Sequence, residues 1–120
     1  MPVSADPERF LPLPNDALLI LLALASGPLH GYGIIRDVGE RSDGATVLQT
    51  GALYRMLRRL LRDAIIEEVD PPADHTGDDR RRYYHLSRFG RAVLDAEVAR
   101  MSGLVRAAKL AGPGRRPRLS

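Results

Sequence analysis

The sequence contains no cysteine, and all but one of its 18 basic residues are arginine, Lys109 being the exception. Without cysteine there is no disulfide framework, no thiolate metal site and no cysteine nucleophile, and the chain fits a reducing, cytoplasmic compartment. There is no Gly-rich phosphate loop and no cluster of metal ligands, and Ser, His and Asp occur in no nucleophile arrangement. Neither an enzyme nor a bound cofactor is therefore expected. The one apolar run that stands out, ALLILLALA at 17–25, is nine residues long, against the roughly 20 a membrane-spanning helix needs. Asp6, Glu8 and Asp16 before it carry the wrong sign for a signal peptide, so no membrane association is expected.

At 120 residues and 44% hydrophobic content the chain reads as one domain with a modest core, small enough to benefit from a partner subunit. The net charge of +3 says little by itself; its distribution says more. Arginines cluster at Arg55, Arg58, Arg59 and Arg62, at Arg80, Arg81 and Arg82, and at Arg115, Arg116 and Arg118.

The first cluster lies in QTGALYRMLRRLLR, 49–62. As a helix this stretch places Leu53, Leu57, Leu60 and Ala64 on one face and the four arginines on the other. The like-charge pairs 55/58, 55/59, 58/62 and 59/62 each cost a few tenths of a kcal/mol, roughly 1 kcal/mol together. A solvated face usually mixes in acids; a face of uniform sign suits a polyanion. The small or polar residues Gln49, Thr50, Gly51 and Ala52 at its start would let the helix N-terminus approach a groove closely. A DNA recognition helix is the first hypothesis, beside the plain alternative of a solvated face.

In chain order, residues 1–14 carry four prolines (Pro2, Pro7, Pro12, Pro14) and read as a flexible arm. Asn15 or Asp16 can cap a first helix to about Ala25, stopped by Gly27 and Pro28. Because that helix is apolar nearly all round, it belongs at the centre of the core. A second helix carries Ile34, Ile35 and Val38, and Thr46 with Gln49 can form a capping box for the third, which ends near Ala64. Residues 65–70 and 81–86 read as strands, with PPADHTGDD as a long hairpin tip. Ser87 can cap a last helix to about Leu110, in which Leu94, Val98, Met101, Val105 and Ala108 form a coiled-coil-like seam. A basic tail, 111–120, ends the chain. The expected fold is mainly α with a small β-hairpin: a winged helix-turn-helix at 15–86 followed by a dimerisation helix at 87–110.

Several residues resemble the PadR family of bacterial transcriptional regulators. Leu29-His30-Gly31-Tyr32 is similar to that family's HGY signature. Gly51-Ala52-Leu53-Tyr54 followed by Leu57, Arg59 and Leu60 resembles its recognition helix, and Arg82-Tyr83-Tyr84-His85-Leu86-Ser87 with Gly90 resembles its wing strand and helix start. The resemblance covers about residues 16–100 and implies a homodimer on a palindromic operator, usually repressing, with release by a small-molecule effector. This chain departs from the family pattern at Arg55, where proline is frequent, and at Ala64, where glycine is common. A single helix after the wing resembles the short members. Some of those hold flat aromatic compounds with tryptophan, and the absence of tryptophan here means that mode does not carry over.

On this reading Arg55, opposite the leucine face and near the N-terminal end, contacts guanine, while Arg58, Arg59 and Arg62 reach phosphates. Gln49, Thr50, Gly51 and Tyr54 touch bases or backbone. Arg80, Arg81 and Arg82 either bind DNA or neutralise Asp78 and Asp79. His75 among the aspartates of the tip is a weak metal motif with no second His at ligand spacing. Tyr84 and Leu86 are expected to pack on the helices and Tyr32 to wedge between them. Leu94, Val98, Met101, Leu104, Val105 and Ala108 are the expected dimer interface, since the last helix outruns what three helices can cover. The competing function is a winged-helix interaction module whose arginine face docks an acidic protein.

Overall fold

A computed structural model describes residues 6–72 and 81–112. It contains a 3-10 turn Pro7–Phe10, helices α1 (Asn15–Ala25), α2 (Gly31–Arg41), α3 (Thr50–Arg62) and α4 (Arg88–Ala111), and strands β1 (Leu29–His30), β2 (Ile66–Val69) and β3 (Tyr83–Leu86). The fold is the mainly helical one expected, with a winged-helix arrangement of α1 to α3 and the β2–β3 pair. The sheet has a third strand: its order is β1-β3-β2, antiparallel throughout, with Leu29 opposite Tyr84 and Ile66 opposite Leu86. β1 is two residues long, too short for a period of two to show in sequence.

The core is built from Ile20, Leu21 and Leu24 of α1, Ile34 and Val38 of α2, Leu53, Leu57 and Leu60 of α3, Ile65 and Ile66, Tyr84, and Val93 and Leu94 of α4. Several local expectations are corrected. Asn15 opens α1 as its first residue, behind Pro14 and without a side-chain cap. The Thr46–Gln49 capping box does not form: Gln49 is itself the N-cap of α3 and makes no capping bond. Ser42 takes the organising role instead, accepting from the Thr46 N–H at 3.0 Å and donating to the Val38 carbonyl at 2.8 Å. Tyr32 does not wedge between helices; it is 64% exposed and stacks on His30.

α3 stops at Arg62, short of Ala64. The Ile65 N–H reaches back to the Leu60 carbonyl (2.9 Å) and the Ala64 N–H to Leu61 (3.0 Å), the pattern of a Schellman cap. That cap forces Ala64 to a φ of 60°, a region that favours glycine, and the glycine common here in the resembling family has this physical reason. Next along, Ser87 caps α4 by accepting from the Gly90 N–H (2.8 Å), and its hydroxyl faces the carbonyls of Ala64 (2.6 Å) and Ile65 (3.0 Å). A β-carbon on Gly90 would overlap the Ile65 carbonyl oxygen.

Residues 6–14, within the segment expected as a free arm, lie against α4. Phe10 meets Phe89 edge to face at 5.7 Å, and the Leu13 N–H donates to Glu97 at 2.9 Å. Glu97 is 1% exposed and also accepts from Arg100 at 2.6 and 3.2 Å. These partners satisfy a carboxylate that burial alone would make costly. The Arg100 hydrogen bond holds the Glu97 carboxyl below its ordinary range; burial works in the opposite direction, and the Leu13 N–H adds to the lowering.

Two stability predictions follow from these joints. Ala64→Gly should raise the melting temperature by about 3 °C by relieving the left-handed alanine, whereas Gly90→Ala should cost roughly 2 kcal/mol or more by driving a β-carbon into a backbone carbonyl. Thermal and urea melts of the two variants check both signs. Glu97, with its lowered folded value, contributes stability that is complete above the usual carboxylate range and is lost as pH falls through that folded value. Melts across an acid series should show this limb flattened in Glu97→Gln, together with faster hydrogen exchange at the Leu13 amide.

Candidate nucleic-acid interface

Burial of Leu53, Leu57 and Leu60 fixes the rotation of α3 and turns Tyr54, Arg55, Arg58, Arg59 and Arg62 to solvent. On α2 and α4, four arginines find acids: Arg36 with Glu40, Arg41 with Asp37, Arg91 with Asp95, Arg100 with Glu97. Among the described residues, none of the four α3 arginines pairs with a carboxylate. The N-terminus of α3 adds to this, since its first turn holds no acid and Gln49 leaves it without a side-chain cap. Uncapped N–H groups and the positive end of the helix dipole therefore face outward beside Thr50 and Gly51.

The wing base meets this surface. Tyr54, Leu57, Arg58 and Leu61 of α3 share a hollow of about 400 Å³ with Arg81, Arg82 and Tyr84. A second, of about 380 Å³, is lined by His30, Gly31, Tyr32, Tyr54, Arg81 and Arg82. Arg81 reaches within 3.2 Å of the His30 ring nitrogen Nε2, while the other ring nitrogen accepts the Gly33 N–H at the start of α2. Arg82 lies 3.8 Å from Glu68 across the strands, so part of its charge is already met inside the chain. Tyr84 is buried; burial, with Tyr54 and Glu68 beside it, holds its phenol above its ordinary value against the pull of Arg82. It is a neutral packing residue at physiological pH.

The structure thus brings Tyr54, Arg58, Arg81 and Arg82 to one place and sets Arg55, Arg59 and Arg62 along the same exposed helix. Arg80, Asp74, His75, Asp78, Asp79 and the tail arginines Arg115, Arg116 and Arg118 fall outside the described residues. Sequence reasoning missed why two motifs sit together: a β-carbon on Gly31 would overlap the Tyr54 hydroxyl. The glycine of HGY is thus the seat of the tyrosine of the Leu-Tyr pair. Both residues were visible in sequence, but nothing local pairs them across 23 positions.

The second expected site, on α4, divides in two. Leu94 is 4% exposed and belongs to the chain's own core, so it cannot serve a partner. Val98, Met101, Leu104, Val105 and Leu110 are exposed, as is Ala108. Among the described residues there is no group of three or more His, Asp and Glu placed to hold a metal ion, and no helix is long and apolar enough to cross a membrane.

Known proteins share this fold. A PadR family transcription regulator from Clostridium difficile superimposes with a TM-score of 0.68, covering 81% of this chain and 97% of that one at 23% identity. Bacillus subtilis PadR, solved in complex with operator DNA, gives a TM-score of 0.59 over 91% of this chain and 52% of its own, at 17% identity. In sequence, a 37.1 kDa protein in transposon TN4556 of Streptomyces fradiae is 39% identical over 95 residues, 76% of this chain. The chain spans about a quarter of that protein's length. The family model for the transcriptional regulator PadR-like family matches residues 20–96, a span that runs from the core of α1 through the HGY and Leu-Tyr motifs and the wing to Glu97's neighbour on α4, and the chain belongs to that family.

Proposed function

We propose that the chain acts in the cytoplasm as a homodimeric repressor that binds a palindromic operator with α3 in the major groove. The observation that carries this reading is the row of four arginines on α3, free of acidic partners among the described residues and continuous with Arg81 and Arg82 at the wing base. A duplex would supply the missing counter-charge. Arg55 stands nearest the N-terminal end and is assigned to a guanine edge; Arg58, Arg59, Arg62, Arg81 and Arg82 are assigned to phosphates, with Gln49, Thr50, Gly51 and Tyr54 at the groove entrance. Val98, Met101, Leu104, Val105 and Ala108 supply the subunit seam, which sets two α3 helices about 34 Å apart. Release by a small-molecule effector, as the family resemblance implies, would act through the same seam.

Selection from random duplexes across a salt series tests the reading. Expected are enrichment of a palindrome and an affinity that falls by about 100-fold or more between roughly 50 and 200 mM salt. Leu104→Asp should give a monomer by ultracentrifugation and abolish the preference for paired half-sites. Little affinity for any duplex at moderate salt would point instead to an acidic protein partner for the same face.

The division of labour among the arginines gives a second test. Arg55→Ala should relax preference at one base pair per half-site, a loss of about 1–3 kcal/mol on the selected operator and far less on random duplex. Arg58→Ala should weaken both by similar factors and reduce the salt slope by about one contact per subunit. Equal losses on operator and random DNA for Arg55→Ala would remove Arg55 from base reading.

A further inference from the structure

Val47 is 69% exposed and, among the described residues, is the one large aliphatic side chain of the winged-helix part left uncovered; the other exposed aliphatic side chains of its size lie on α4. It stands three residues before α3, on the turn that feeds the helix end carrying Gln49, Thr50 and Gly51. Both flanks of this turn are pinned. On one side the Thr46 N–H is held by Ser42 at 3.0 Å and the Thr46 hydroxyl lies 3.5 Å from the Asn15 amide. On the other, Leu48 is buried in the core and the Gln49 carbonyl accepts the first α3 bond, from the Leu53 N–H at 2.9 Å. Val47 between them is β-branched and stiff at χ1.

A single apolar side chain presented in this way, between Thr46 and the buried Leu48, is too small a patch for a protein partner. Base edges in the major groove carry one apolar group, the C5 methyl of thymine. We propose that Val47 is a specificity-determining residue that packs on a thymine methyl next to the bases read by α3. The inference rests on the DNA reading of α3, and it differs from the arginine assignments in kind: the contact is apolar, so its contribution is insensitive to salt.

The test replaces each thymine of the selected operator in turn with deoxyuridine, which removes the methyl and leaves every hydrogen-bonding group in place. For the native chain, one position per half-site should lose about fourfold in affinity, the factor expected from burying one methyl-sized group. The same loss should recur at low and high salt. In Val47→Ala, whose exposed site predicts an unchanged melting temperature, the uracil penalty at that position should vanish. A flat uracil scan with the native chain, or a penalty that survives in Val47→Ala, overturns the role of Val47 while leaving the operator and the arginine row intact. Failure to enrich any operator would take down the reading of α3 and this inference with it.

Discussion

The hydroxyl of Ser87 joins the two halves of the molecule. It accepts the Gly90 N–H that starts α4 and faces the carbonyls of Ala64 and Ile65 that leave α3; the Ser87 N–H adds a bond to Ile65 at 3.1 Å. The backbone between these points is held so tightly that no β-carbon fits at position 90. The proposed recognition surface and the proposed subunit surface sit on different helices, and their relative angle passes through this joint. A soft connection here would let the spacing of two α3 helices wander, and a palindrome can be read only at a fixed spacing. Glu97, anchoring Leu13 and Arg100 two turns further along, stiffens the same root of α4 before it leaves the core.

α3 illustrates how a core can impose an unfavourable surface. Leu53, Leu57 and Leu60 each gain a few kcal/mol by burial, which far exceeds the roughly 1 kcal/mol of repulsion among four arginines on the opposite face. The helix therefore forms in spite of the repulsion and keeps its charges together on one exposed face. Arg36 and Arg41 on α2 and Arg91 and Arg100 on α4 pair with acids at i±3 or i±4; on α3 the one acid at such a position is Asp63, four residues after Arg59 at the C-cap, and among the described residues it makes no ion pair with the row. The imbalance is local and built into one thirteen-residue helix, which is why a net charge of +3 conceals it.

Where periodicity or composition is strong, the fold could be read from sequence: the amphipathic α3, the apolar α1, the long α4 and the serine that caps it. The features that escaped are tertiary. β1 exists because β3 offers it an edge, and two residues have no pattern of their own. Asn15 and Thr46 looked like caps by type, yet α1 begins directly behind Pro14 and α3 directly behind Gln49, neither with a side-chain cap. Leu94 and Val98 share one heptad-like stripe, and only packing decides that the first belongs inside the chain and the second outside it. Gly31 and Tyr54 were both noticed, as members of separate motifs, while the steric need that links them lies in three dimensions. Val47 gave no sequence signal because a lone valine before a helix is ordinary until its two neighbours are seen to be held.

The preference for arginine over lysine bears on why the α3 surface can stay poised. A crowded lysine can lower its pKa and shed its charge; a guanidinium cannot, so the row stays fully charged and its repulsion has no internal escape. The compensating charge must come from outside, and it must match planar, forked donors at several points along one helix. Inorganic counterions supply charge without that geometry, whereas phosphates at the regular spacing of a duplex and the paired acceptors of guanine supply both. The same unpaired row that costs the free chain stability thus sets the chemistry of the partner it would accept, and in the proposed dimer the unyielding joint at Ser87 would set the distance at which a second copy meets it.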